Sequence, residues 1–210
     1  MSTLSNQLTI IGAPQGNFVW TARIAATEKG VAYRLDAVMP HTPQVDVAHP
    51  LGKIPAMRHG DVLLGESRAI CCYIDRVFDG PSLIPADPVG AARTEQWVSI
   101  VCTHVDPLLV RQYVGAYYFP DTADGSPDRK RIDPIQEQMQ RQFWQLDVAV
   151  GAAGHLAGAA FTLADAYLIP ILFYLNQLPE SSRMMQGTRY LSSYLERRAG
   201  RCTTAPKPTA

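Results

Sequence analysis

No hydrophobic run in the 210 residues is long enough to span a bilayer. The most apolar stretch, Ala164 to Leu175, contains Asp165 and Pro170 and falls short of the about 20 residues a membrane helix requires. Charge of one sign is also missing: 19 Lys and Arg stand against 19 Asp and Glu. Without a basic excess to neutralise phosphate, nucleic acid is not an expected partner, and neither is a membrane. The start, Met1 to Leu8, lacks a basic flank followed by an apolar run, so no secretory signal is read and a cytoplasmic location is expected. Cysteine is scarce and unpatterned. Cys71, Cys72, Cys102 and Cys202 show no metal-ligand spacing, which predicts free thiols in a reducing compartment and no metal site. What is present is a hydrophobic content of 47%, ample for a buried core and incompatible with disorder as the dominant state.

The apolar patterning changes near residue 80. Residues 8–78 alternate strand and helix signals, whereas residues 88–200 carry 3.6-period patterns with almost no strand signal. Between them, Asp79-Gly-Pro-Ser-Leu-Ile-Pro-Ala-Asp-Pro88 is dense in turn formers, the signature of a linker. The organisation read from this is an α/β domain over residues 1–78, a linker over 79–87, an all-helical domain over 88–200 and a tail over 201–210.

In the first half, Leu8 to Ile11 reads as a buried strand. A helix from Phe18 to Lys29, closed by Gly30, and a strand from Val31 to Val38 follow. That order predicts a βαβ unit with a parallel pair and a right-handed crossover. After a polar stretch from Pro40 to Pro50, Ile54 to Met57 and Val62 to Leu64 predict a hairpin turned at His59-Gly60-Asp61. Glu66 to Phe78 predicts a helix. The second half predicts helices at about 88–118, 130–151, 162–176 and 188–199, with a kink at Pro107. Thr162 and Asp165 have the spacing of a capping box, and the helix they open is apolar on nearly every side, as a central bundle helix would be.

Three motifs in this frame carry a physical meaning. In Gly52-Lys-Ile-Pro55-Ala, a proline early in a strand cannot donate to a ladder, so it belongs at an edge or turn. There a cis bond would present the Ile54 N–H and C=O to an extended peptide. In Gly65-Glu66-Ser67, Ser67 opens a helix whose N-terminal N–H groups favour a carboxylate, and Glu66 suits an ammonium. A plain reading also exists, with Ser67 as a cap and Glu66 complementing the dipole. The third motif is Phe161-Thr-Leu-Ala-Asp165. In this order and spacing the three make the chain resemble the soluble glutathione transferases over about residues 8–200.

The resemblance implies a thioredoxin-like N-terminal domain followed by a C-terminal helical bundle, and a two-fold homodimer. It also implies glutathione as co-substrate. Glutathione would pair with the Ile54 backbone, its γ-glutamyl end would meet Glu66 and Ser67, and its glycyl carboxylate would meet Lys53. His41 and Gln44, in the irregular loop, are candidates for a further contact to that carboxylate. The implied reaction attaches the glutathione sulfur to a small hydrophobic electrophile, with reduction of a hydroperoxide as a further reaction the resemblance allows. A non-catalytic binding or regulatory member of the same family is the alternative.

The sequence departs from the family pattern at the thiol. Relatives usually place Tyr, Ser or Cys at the first strand–helix junction, and Gly12-Ala-Pro-Gln-Gly-Asn-Phe-Val-Trp20 contains none of the three. Asn17 is the side chain in this window best placed to donate to sulfur, through its amide NH2. The electrophile is expected between the domains, against the long kinked helix. Tyr113, Tyr117 and His104 are the residues there expected to reach it, although their helical spacing equally suits a core.

Overall fold

A computed structural model describes residues 7–199; Cys202 and the tail lie outside the described residues. The chain forms two compact units that divide between Ile84 and Pro85. In the first, β1 (Leu8–Ile11), α1 (Asn17–Glu28), β2 (Tyr33–Asp36), α2 (Pro43–Asp46), β3 (Ala56–His59), β4 (Val62–Gly65) and α3 (Ser67–Val77) follow one another. The sheet order is β2-β1-β3-β4. β1 runs parallel to β2 and antiparallel to β3, and β3 and β4 form the hairpin. This is the thioredoxin-like arrangement that the resemblance implies. α1 packs on β1 and α3, and Trp20, Val19, Ile24, Ile70 and Ile74 are fully or almost fully buried with Ile10 and Met57.

The register decides where the site lies. Ile11 pairs with Ala56 and with Asp36, and Ala56 pairs with Gly65. The β1–α1 junction, the loop after β2, the segment before β3 and the start of α3 therefore open at one end of the sheet. Beneath the loop, Ile11, Val45 and Ala56 form a small buried cluster on which Val38, Ala48 and Ile54 pack. That cluster fixes α2 and the proline segment to the sheet. Residues 79–84 belong to this unit: Leu83 is buried, and its N–H donates to Asp75 Oδ1 at 2.7 Å, beside the buried Lys29–Asp75 ion pair.

The second unit is all helical. α4 (Pro88–Ile100), a π-helical stretch (Val101–Val114) and α5 (Gly115–Tyr118) are contiguous. Pro107, where a kink is expected, lies within the π-helical stretch, whose i→i+5 bonding changes which carbonyl its missing N–H leaves without a partner. α6 (Arg129–Ile132) and a 3₁₀ turn (Asp133–Ile135) lead into α7 (Gln136–Ala153), followed by α8 (Leu163–Leu175), α9 (Pro179–Gln186) and α10 (Leu191–Ala199). α9 was not expected from periodicity. Its polar body hides it, while Pro179 at the first turn and Glu180 behind it are the start signals available.

α8 is the central helix of this unit, buried along almost its whole length. The Asp165 carboxylate accepts from Thr162 N at 2.9 Å, from Leu156 N at 3.0 Å and from Tyr194 OH at 2.6 Å. Burial pushes its proton affinity up, but the hydrogen bonds from His155, Tyr194 and these backbone groups hold it below the ordinary carboxyl range.

Candidate functional site

The site is assembled from the ends of β1, β3 and β4. Gly12, at φ +147, leaves β1 where no side chain fits: a Cβ there would lie 2.7 Å from Val19 Cγ2 and 2.9 Å from Ile54 Cβ. At Gly16 a Cβ would lie 3.6 Å from Ile54 Cδ1. Ile54 is therefore seated closely against the β1–α1 junction at Gly12 and in ordinary contact with it at Gly16. The Ile54–Pro55 bond is cis, and both residues precede β3, whose ladder begins at Ala56. The strand expected from Ile54 accordingly starts two residues later, which leaves the Ile54 backbone outside the β3–β4 pairing.

Gly16, not Asn17, is the N-cap of α1. The first helical bond runs from Trp20 N to Gly16 O at 2.9 Å, so the preceding N–H groups, from Asn17 on, point out of the N-terminal end. Asn17 is the first helical residue and is 7% exposed.

Glu66 and Ser67 stand beside Ile54 because Gly65 pairs with Ala56. Glu66 has φ +65 and ψ 116, which is sparsely populated for a residue with a side chain, and it precedes Ser67, the first residue of α3. Its side chain is 69% exposed, and one oxygen, Oε1, lies 3.3 Å from His49 Nε2. His49, which was missed as a site residue in the sequence, is 3% exposed.

Lys53, His41 and Gln44 are exposed at the same end. His41 also has positive φ, its N–H donates to Gly52 O at 2.8 Å, and its imidazole occupies the space that a Cβ at Gly52 would need. The ring is thereby held one residue from Lys53. Gln44 lies on the short helix α2. Thus one end of the first unit carries two exposed cationic or imidazole groups, Lys53 and His41, the buried His49, a helix start with a serine, and an exposed carboxylate.

The three residues expected at the electrophile, Tyr113, Tyr117 and His104, sit in different surroundings. Tyr113 is fully buried; its hydroxyl donates to Glu180 Oε2 at 3.0 Å and accepts from Ser181 N at 3.1 Å. Tyr117 donates to the same Oε2 at 2.5 Å, and Arg129 Nη1 meets Oε1 at 2.5 Å. Burial, followed by the bond to Glu180, raises the proton affinity of Tyr117. The two tyrosines therefore anchor α9 to the long helix; Tyr113 is fully buried in doing so, whereas Tyr117 stays half-buried. A buried carboxylate claims their hydroxyls because it needs donors. His104 is exposed and lines a groove of about 770 Å³ with Trp97 and Trp144, between the α4–π helix and α7. Among the described residues no cluster of His, Cys, Asp or Glu could hold a metal ion.

The chain matches a known family in both of its units. Residues 10–82 match the family described as glutathione S-transferase, N-terminal domain, and residues 109–201 match glutathione S-transferase, C-terminal domain. Glutathione S-transferase 3 of Zea mays is 31% identical over 182 residues, which is 79% of this chain and 78% of that one. A stringent starvation protein A homolog of Haemophilus ducreyi is 26% identical over 74% of this chain and 69% of its own. The solved structure of glutathione S-transferase III in apo form superposes with a TM-score of 0.82 at 27% identity, covering 97% of this chain and 99% of that one. The chain belongs to the glutathione S-transferase family.

Proposed function

We propose that the protein is a glutathione transferase that binds glutathione at the end of the first unit's sheet and joins its sulfur to a small hydrophobic electrophile. The observation that carries this reading is the meeting of the Gly12–Asn17 junction, the cis Ile54–Pro55 segment and the Glu66–Ser67 helix start, all within the family's fold. Glutathione lies extended, with its cysteinyl backbone paired to the unladdered N–H and C=O of Ile54. Ser67 and the N-terminal N–H groups of α3 take the γ-glutamyl carboxylate, and Glu66 takes the ammonium. Lys53, with His41 and Gln44, faces the glycyl carboxylate.

Asn17 and the α1 N-terminus hold the sulfur as thiolate. The thiolate attacks the electrophilic carbon, the C–S bond forms, and the leaving group departs with its electron pair. The thiol proton has by then gone to solvent. The reading places the protein in the cytoplasm as a two-fold homodimer, the commonest homo-oligomeric arrangement; a sedimentation mass of one chain would exclude the dimer.

A second reading, a binding or regulatory member of the family, is favoured by the junction itself, which has no Tyr, Ser or Cys from Gly12 to Trp20. The relatives named stringent starvation protein A, a name that specifies no transfer reaction, point the same way. Calorimetric titration tests the site common to both. Ser67→Ala is expected to weaken glutathione binding by about tenfold, the value of one hydrogen bond to a charged group. An unchanged dissociation constant would show that the carboxylate binds elsewhere.

A further inference from the structure

His49 is a buried imidazole to which the reading above gives no task. Its N–H donates to Val45 O at 2.8 Å, and its carbonyl accepts from Gly52 N at 2.9 Å, so its backbone is fastened at both ends of the loop that leads to Lys53 and Ile54. Leu51 N–H donates to the ring Nδ1 at 3.2 Å. That donation needs the Nδ1 lone pair, so the ring is neutral and carries its hydrogen on Nε2. Nε2 lies 3.3 Å from Glu66 Oε1.

The ring's seat is shaped for it. A Cβ at Gly65 would lie 2.7 Å from His49 Cδ2, 2.9 Å from Cγ and 3.1 Å from Cα. Gly65 is thus small because the imidazole lies across it, and the next residue is Glu66, held at φ +65. A conformation of this kind persists where its surroundings enforce it. Glu66 is otherwise mostly in solvent, where a glutamate side chain samples many rotamers and loses that freedom on binding.

We infer that His49 is a positioning residue: seated on Gly65 and fixed in one tautomer by the Leu51 amide, it sets its Nε2 edge 3.3 Å from Glu66 Oε1 and through that polar contact holds the carboxylate where the ammonium of glutathione binds. The inference rests on the assignment of Glu66 to the ammonium made above. It specifies selectivity as well as affinity, because only ligands that carry the α-amino group benefit from the ordered carboxylate.

The test is calorimetry of the full chain with glutathione and with its deaminated analogue, which lacks only that amino group. His49→Phe keeps a ring on Gly65 without the donor. It is expected to raise the glutathione dissociation constant about tenfold, to raise KM for glutathione with kcat nearly unchanged, and to leave the analogue's affinity within about twofold. His49→Gln, which can return an N–H near the Nε2 position, is expected to recover most of the loss. In a Glu66→Ala background His49→Phe should have no further effect on glutathione.

Equal losses for glutathione and the deaminated analogue, or the same loss in the Glu66→Ala background, would make His49 a packing residue and overturn the inference. So would unchanged glutathione affinity in His49→Phe. Failure of the underlying assignment looks different: wild-type protein would then bind glutathione and the deaminated analogue equally well, or bind neither.

Discussion

In the proposed transferase reading, Asn17 has the most demanding task at the residue scale. Bringing a thiol from a pKa of about 8.5 to about 6.5 takes roughly 2.7 kcal/mol. A hydrogen bond to a charged acceptor contributes about 1.5–3 kcal/mol, and a helix N-terminus adds about 0.3–1 kcal/mol. Because Gly16 is the cap of α1, the Asn17 side chain is not the group that opens the helix, and Asn17 lies in the first turn where the dipole acts. Asn17→Ala is expected to raise the bound thiol's pKa by about one to two units and to lower turnover, with little change in glutathione affinity. Ultraviolet absorption of the bound thiolate across pH measures it. An unshifted titration would assign the activation to the backbone N–H groups and the dipole alone.

Elements of this chain differ in how far their neighbours along the sequence reveal them. The hairpin, the proline segment, the Glu66–Ser67 helix start and the Thr162–Asp165 box are each specified within a few residues, and local rules find them. Contacts closed across long separations escape such rules. His49 meets Glu66 across the sheet end, and Tyr113 and Tyr117 meet Glu180 from a different helix, so their helical spacing alone could not say what their hydroxyls would find. Gly65 held a local hint of the first, since a glycine before a strained helix start marks close approach. Pro107 signals a disturbed helix locally, but not the π-helical stretch in which it lies.

The Glu180 anchor carries a pH signature. Burial raises its pKa, but the bonds from Tyr117, Arg129 and Tyr113 outweigh that and bring it to about 2, against an ordinary 4.5. A depressed folded-state pKa means that the unfolded chain binds the proton more tightly. The stability from this group is therefore full above about pH 4.5 and is lost as pH falls toward about 2. Thermal unfolding of wild type and Glu180→Gln across that range should show a wild-type advantage that is constant at neutral pH and shrinks between these values. Parallel curves down to pH 2 would show that the carboxylate is not selectively stabilised in the folded state.

For the whole molecule, family membership and the assembled sheet end favour glutathione as ligand, while the unusual junction at Asn17 bears on whether binding leads to chemistry. Both readings of the protein allow glutathione binding, so affinity does not separate them, and a rate does. The measurement is steady-state conjugation of glutathione to an aryl halide by the full-length protein, followed against glutathione concentration. A transferase predicts a rate above the uncatalysed reaction that saturates in glutathione and falls in Asn17→Ala. Saturable binding of glutathione with no rate above the uncatalysed reaction, across a panel of electrophiles and hydroperoxides, would contradict it.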